Sequence, residues 1–144
     1  MRHTSIIGIS LIKRFEGLSL STYQCPAGIN TIGYGHIIKP HEQFSIITEQ
    51  QAEELLVQDL VKAEQAVSRN ISVSLTECQF DALVSFTFNV GGGALQRSTL
   101  RQKVNSDEHD TVPAEFMRWV WAGGKKLPGL IKRRQLEGEV YQLY

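Results

Sequence analysis

The chain has 144 residues, 42% of them hydrophobic and 21% charged, the profile of a single globular unit large enough to bury a core. A formal net charge of +0 removes the electrostatic case for a nucleic-acid binder or a membrane-surface protein. Two cysteines, Cys25 and Cys78, are too few for a disulfide framework and lack metal-ligand spacing, so free thiols and no structural metal are expected.

Taken in chain order, the run Ile6 to Ile12 is too short to span a bilayer and lacks a small-residue cleavage site. Neither a signal peptide nor an integral membrane segment is therefore expected. Ile9, Ile12 and Phe15 have helical spacing, with Ser5 as N-cap and Gly17 as stop, which predicts a helix over Ser5 to Phe15 and puts Glu16 at its C-terminus. From Thr22 to His36 the Tyr, Thr, Ile and Gly content, with Pro26, Ala27 and Gly28 in the middle, predicts a hairpin. Thr48 and Gln51 form a capping-box pattern opening a long helix to about Asn70, with Ala52, Leu56, Leu60, Ala63 and Val67 as its apolar stripe. Thr76 and Gln79 repeat that start signal ahead of Phe80, Leu83, Val84, Thr87 and Phe88, and Gly91, Gly92 and Gly93 read as the helix end. Further helices are predicted around Ser98 to Val104, around Pro113 to Trp121 and from Pro128 onward, so the second half reads as entirely helical. In the last helix the apolar side is Leu130, Leu136 and Val140. Between Arg97 and Arg134 basic residues outnumber acidic ones, so an anionic partner would meet this half.

The predicted class is α+β and mostly α-helical. It is one unit over 1–144, with a small hairpin lobe at about 12–60, a long connecting helix, and a helical lobe at about 61–144 that also takes in the first helix. A cleft between two such lobes suits an extended substrate. A hairpin centred on Gly28 makes positions 25 and 31 direct cross-strand partners, so Cys25 and Thr31 would point to one place. With a chain reversal at Gly17, Glu16 would face that place across a gap. Glycoside hydrolysis needs this arrangement, one side protonating the leaving oxygen and the other positioning water or a nucleophile. A helix C-terminus and partial burial both disfavour negative charge on Glu16, which suits a proton donor.

Glu16, eight residues, Cys25, five residues and Thr31 is similar to the Glu, Asp or Cys, Thr triad of phage lysozymes. Thr31-Ile32-Gly33-Tyr34-Gly35-His36 resembles their hairpin signature, and Ser85-Phe86-Thr87-Phe88-Asn89-Val90-Gly91 resembles their central-helix signature. Ser98-Thr99-Leu100, Trp119, Ala122-Gly123-Gly124-Lys125, Leu127-Pro128-Gly129-Leu130 and Arg133-Arg134 resemble their C-terminal motifs, so the likeness runs in order from about Leu11 to Tyr144. The resemblance is to glycoside hydrolase family 24. It implies a two-lobed lysozyme fold, hydrolysis of the β-1,4 bond between N-acetylmuramic acid and N-acetylglucosamine for host lysis, and no metal or organic cofactor. By the same resemblance Glu16 is the general acid, Cys25 positions or activates the attacking water, and Thr31 helps hold it.

Cys25 departs from the aspartate form of the triad; an ordinary thiol is only a few per cent ionised at neutral pH, roughly. It is open whether it acts as base, as nucleophile or as a small spacer. Tyr34, His36, Asn89, Arg133 and Arg134 are candidate substrate-binding positions, and the resemblance implies that His36 is chiefly structural and paired to an acid. By position in the family motif Arg133 or Arg134 is expected to pair with Glu16, which would oppose the helix-end effect on its charge. Trp119 and Trp121, two apart on a helix, would face different ways, one into the core. The implied partner is bacterial peptidoglycan, met by a monomer made in the host cytoplasm and released to the periplasm by a separate holin-type protein. Two rival readings share these residues: a lytic transglycosylase, in which the muramoyl hydroxyl replaces water, and a non-catalytic wall-binding or membrane-perturbing protein.

Overall fold

The computed structural model describes residues 1–143, so Tyr144, where the resemblance ends, lies outside them. Helix α1 spans Ile6–Glu16 and ends at Gly17, whose amide donates to the Lys13 carbonyl. Ser5 sits at the expected N-cap, but its hydroxyl and amide go to Asp81 and those of Thr4 to Glu64, so α1 is pinned from two neighbouring helices instead of capping itself.

A three-stranded antiparallel sheet follows, β1 (Ser19–Gln24), β2 (Asn30–Gly33) and β3 (His36–Ile37), in that spatial order. Its register differs from the expectation. Thr31 lies opposite Tyr23, Asn30 opposite Gln24, and Cys25 donates its amide to Ile29, so Cys25 and Thr31 are diagonal neighbours and not direct partners. The reason is the loop. A turn closes from the Cys25 carbonyl to the Gly28 amide at 2.7 Å, and Gly28 takes φ +76° at the last loop position, so the connection is three residues centred on Ala27. An offset of two residues preserves the side-chain alternation, and positions 25 and 31 still share a face.

Helix α2 (Glu49–Asn70) carries the reciprocal Thr48–Gln51 capping box, and its 22 residues reach from the sheet to the helical part. Helix α3 (Glu77–Val90) opens on the matching Thr76–Gln79 box. Leu83, Val84 and Phe86 are wholly buried, as are the polar Asp81 and Ser85, because this helix runs through the core with neighbours on every side. Only Gly91 ends α3; Gly92 and Gly93 open a further helix, α4 (Gly92–Arg97), whose Ala94 and Leu95 are buried against the core. Helix α5 (Thr99–Asn105) is capped by Ser98, and a 3-10 turn at His109–Thr111 leads into α6 (Val112–Phe116).

The helix expected over Pro113 to Trp121 stops at Phe116. Trp121–Ala122 and Lys125–Lys126 instead pair as a second antiparallel hairpin, β4 and β5, so the second half is not all helix. Gly123 and Gly124 both adopt positive φ, the requirement of a two-residue hairpin turn whose twist matches its strands. The last helix, α7 (Pro128–Tyr141), also departs from expectation. Its buried face carries Arg133, Arg134 and Glu137, whereas Leu130, Leu136 and Val140 are only partly covered.

His36 clips the sheet to α2. Its Nδ1 lies 2.8 Å from Asp59 on α2 and its Nε2 lies 3.0 Å from Glu42, with the ring 3% exposed. Burial works against the imidazolium, but the two carboxylates outweigh it and raise the His36 pKa above its ordinary value. A raised folded-state value means that the stabilisation is complete below the unfolded pKa of about 6.5 and fades as pH rises through the folded one. His36→Asn is therefore expected to cost about 2 kcal/mol near pH 5 and distinctly less near pH 9, read from urea unfolding at the two pH values.

Candidate active site

Glu16 is the last residue of α1, and its side chain is 21% exposed. Arg133 Nη1 donates to its Oε2 at 2.8 Å, so of the two candidate arginines the first makes the contact. Arg133 is held in turn: Nε donates to Glu137 Oε2 at 3.3 Å, Nη2 to the Ser85 carbonyl at 3.2 Å, and its guanidinium lies over the Phe15 ring. Ser85 Oγ donates to the same Glu137 oxygen at 2.6 Å. Glu137, absent from the sequence reading, is fully buried and its second oxygen accepts from Arg134. The Arg–Arg–x–x–Glu spacing, which places a carboxylate three and four residues after two arginines on one helix, was the available signal.

Arg134 is wholly buried and does not reach Glu16. It donates to the Trp119 carbonyl at 3.0 Å and to Asn89 Oδ1, and its guanidinium covers the Phe86 ring. Burial draws its pKa down, opposed by the Glu137 charge. Its role in this geometry is to hold Asn89, which is exposed on α3 at the rim of the site.

A cavity of about 370 Å³ opens beside Glu16, lined also by Gly35, His36, Ile37, Lys39, Asp59, Phe88 and Asn89. On its far side lies the sheet. Thr31 pairs with Ile37 across β2 and β3, is 3% exposed, and donates its hydroxyl to the Ile29 carbonyl at 2.9 Å. Cys25 is half-buried on the same face. Backbone hydrogen bonds from Ile29 and Ala27 lower its thiol pKa against a smaller opposing effect of desolvation. Neither residue lines the cavity itself.

Gly35 completes the wall. A Cβ there would come within 3.0 Å of Glu16 Oε1, and the backbone has φ +81°. The Gly33-Tyr34-Gly35 segment thus lets the chain pass directly against the carboxylate. Tyr34 points elsewhere: it is 6% exposed within the core, with Lys13 above its ring. Trp119 packs edge-on against Phe86, whereas Trp121 lies 57% exposed on β4 beside Lys126, so the two do separate, though on a turn and a strand and not on one helix. Cys78 is buried on α3 and both cysteines are free. Among the described residues no cluster of three or more His, Cys, Asp or Glu could hold a metal.

A carboxyl at the end of the first helix, held by an arginine from the last and facing a small sheet across a cleft, defines the class of lysozyme-like glycoside hydrolases. The phage lysozyme family model matches residues 13–137, and the chain belongs to that family. It is 44% identical over 144 residues to the endolysin of Acyrthosiphon pisum secondary endosymbiont phage 1, covering 97% of this chain and 98% of that one. Among solved structures, P22 lysozyme superposes with a TM-score of 0.90 at 34% identity, covering 98% of this chain and 99% of that one. The muramidase domain of SpmX from Asticaccaulis excentricus gives 0.89 at 35% identity, covering 99% and 100% respectively.

Gly35→Ala tests the close approach. Strain at φ +81° and contact with Glu16 should displace the carboxyl, so kcat/KM on peptidoglycan is expected to fall by about 10- to 100-fold. Steady-state turbidity assays, run with thermal unfolding of the same variant to confirm a folded protein, read the effect.

Proposed function

We propose that this protein is a peptidoglycan muramidase that hydrolyses the β-1,4 bond between N-acetylmuramic acid and N-acetylglucosamine during host lysis, with Glu16 as general acid. The observation that carries the reading is the two-sided grip on the Glu16 carboxyl. Arg133 engages Oε2, and Gly35 leaves Oε1 open beside the cavity. With Arg133 on one oxygen, the transferable proton belongs on the other, the one that a glycosidic oxygen in the cavity would meet. Proton donation of this kind contributes roughly 10²- to 10⁴-fold.

Cys25 and Thr31 supply the opposite side. A thiol drawn below its ordinary pKa offers more thiolate at neutral pH than a free cysteine, so Cys25 acts as the base that activates water. The Thr31 hydroxyl, already committed to Ile29 as donor, keeps its lone pairs for that water. His36, Asn89 and Arg134 serve as positioning residues: the first holds the sheet on α2, and the last holds Asn89 at the cavity rim. The protein acts as a monomer made in the host cytoplasm, and a holin-type protein opens its way to the periplasmic wall. Among the described residues no helix is long and apolar enough to cross a membrane.

Glu16→Gln is expected to lower the rate of lysis of permeabilised Gram-negative cells by about a thousandfold, and Cys25→Ala by about tenfold with partial recovery in Cys25→Asp. Mass spectrometry of the released muropeptides should show reducing ends. Anhydro ends, lighter by one water, would assign the reaction to a transglycosylase.

A further inference from the structure

A second cavity, of about 510 Å³, continues from the first, and Asp59 and Phe88 line both. Where the first has one cation, Lys39, set against Glu16, the second has two and no catalytic carboxyl. Lys62 and Arg69 of α2 both line it, and neither has an ion-pair partner among the described residues. They stand two helical turns apart, about 10 Å along the α2 axis. Asp59, the carboxylate shared by the two cavities, is already engaged by His36. Thr87 also lines the cavity; its Oγ1 is buried and has no hydrogen-bond partner, a vacancy that a buried hydroxyl seldom tolerates. Gln96 supplies a further exposed amide from α4.

A site for sugar alone would be built from aromatic faces and neutral hydrogen-bonding groups. Two free cations with an unsatisfied hydroxyl between the α2 and α3 walls call for an anion. The sugar rings of a peptidoglycan strand are uncharged, and its carboxylates reside in the stem peptides carried on alternate sugars. We infer that this cavity binds a carboxylate of a stem peptide, through Lys62 and Arg69, on a sugar displaced along the strand from the one held at Glu16. The inference rests on the muramidase reading for the identity of the substrate, and it makes the enzyme selective for peptide-bearing strands over bare glycan. Lys62 and Arg69 are both exposed, and charge-assisted contacts at such positions are modest individually, so their combined effect belongs in KM and not in kcat.

The test is co-sedimentation of the full chain with two preparations of one batch of insoluble sacculi, one untreated and one with its carboxylates converted to amides by carbodiimide and ammonia. Wild type should bind untreated sacculi roughly fivefold or more tighter than amidated ones at low salt. Lys62→Ala/Arg69→Ala should bind the two preparations nearly alike, with affinity for amidated sacculi unchanged from wild type. Thr87→Val should lose part of the preference. The proposal is overturned if wild type shows no preference, or if the double variant retains it in full. It is also overturned if the double variant loses affinity equally for both preparations, which would point to a phosphate polymer of the wall. Reducing ends released by wild type in parallel samples report the muramidase reading separately: absence of cleavage would reject that reading while the binding comparison still decides the carboxylate site.

Discussion

The geometry of the site depends on one buried carboxylate. Glu137 has no solvent exposure, and it accepts from Arg133, Arg134 and Ser85 at once. Taking such charges out of water costs several kcal/mol per ion, roughly, and the cost is offset only where every donor finds a partner. Here one nitrogen of each guanidinium goes to Glu137 and the others leave α7: Arg133 reaches α1 at Glu16 and α3 at Ser85, and Arg134 reaches α3 at Asn89 and the chain after α6 at Trp119. The network therefore specifies how three helices meet, and does less for net stability than an apolar helix face would. What it secures is the position of Glu16, which α1 carries as its last residue, where the backbone fixes the Cα but not the side chain.

The opposite wall is held by separate means. The sheet is too small to be rigid by itself. His36, between Asp59 and Glu42, ties its third strand to the long helix, and Gly35 brings the β2–β3 turn against Glu16. The loop closed by the Cys25–Ile29 and Gly28–Cys25 backbone bonds also turns the Ile29 and Ala27 amides toward the Cys25 sulfur, so the local fold of the hairpin prepares its chemistry. Replacing the aspartate of the related triads by cysteine thus does not leave an ordinary thiol in its place.

Much of this was legible in the residues themselves. Both capping boxes and the termination at Gly17 follow from local rules, the pairing of His36 with an acid followed from the family resemblance, and the structure has all of them. The errors share a cause: two solutions compatible with one local pattern. A glycine can sit in the centre of a turn or at its final left-handed position, and Gly28 takes the second, which shifts Cys25 off Thr31 without changing its face. Gly123-Gly124 could end a helix or make a hairpin turn, and the strands it joins are too short to show alternation. In α7 the periodicity of Leu130, Leu136 and Val140 marked the wrong face, because apolar spacing is blind to a buried side made of arginines and a glutamate. Tyr34, named as a cleft residue from the hairpin signature, went to the core because its neighbours Gly33 and Gly35 turn the chain there.

The claim that Glu137 positions the acid through Arg133 is tested most directly by turnover of Glu137→Gln on purified peptidoglycan, assayed well below its unfolding temperature. Glutamine keeps the shape but removes the charge that anchors both arginines. A folded variant whose kcat falls by about 10- to 100-fold, although the altered side chain is shut away from the cleft, is the predicted result. A folded variant with wild-type kcat would contradict the account.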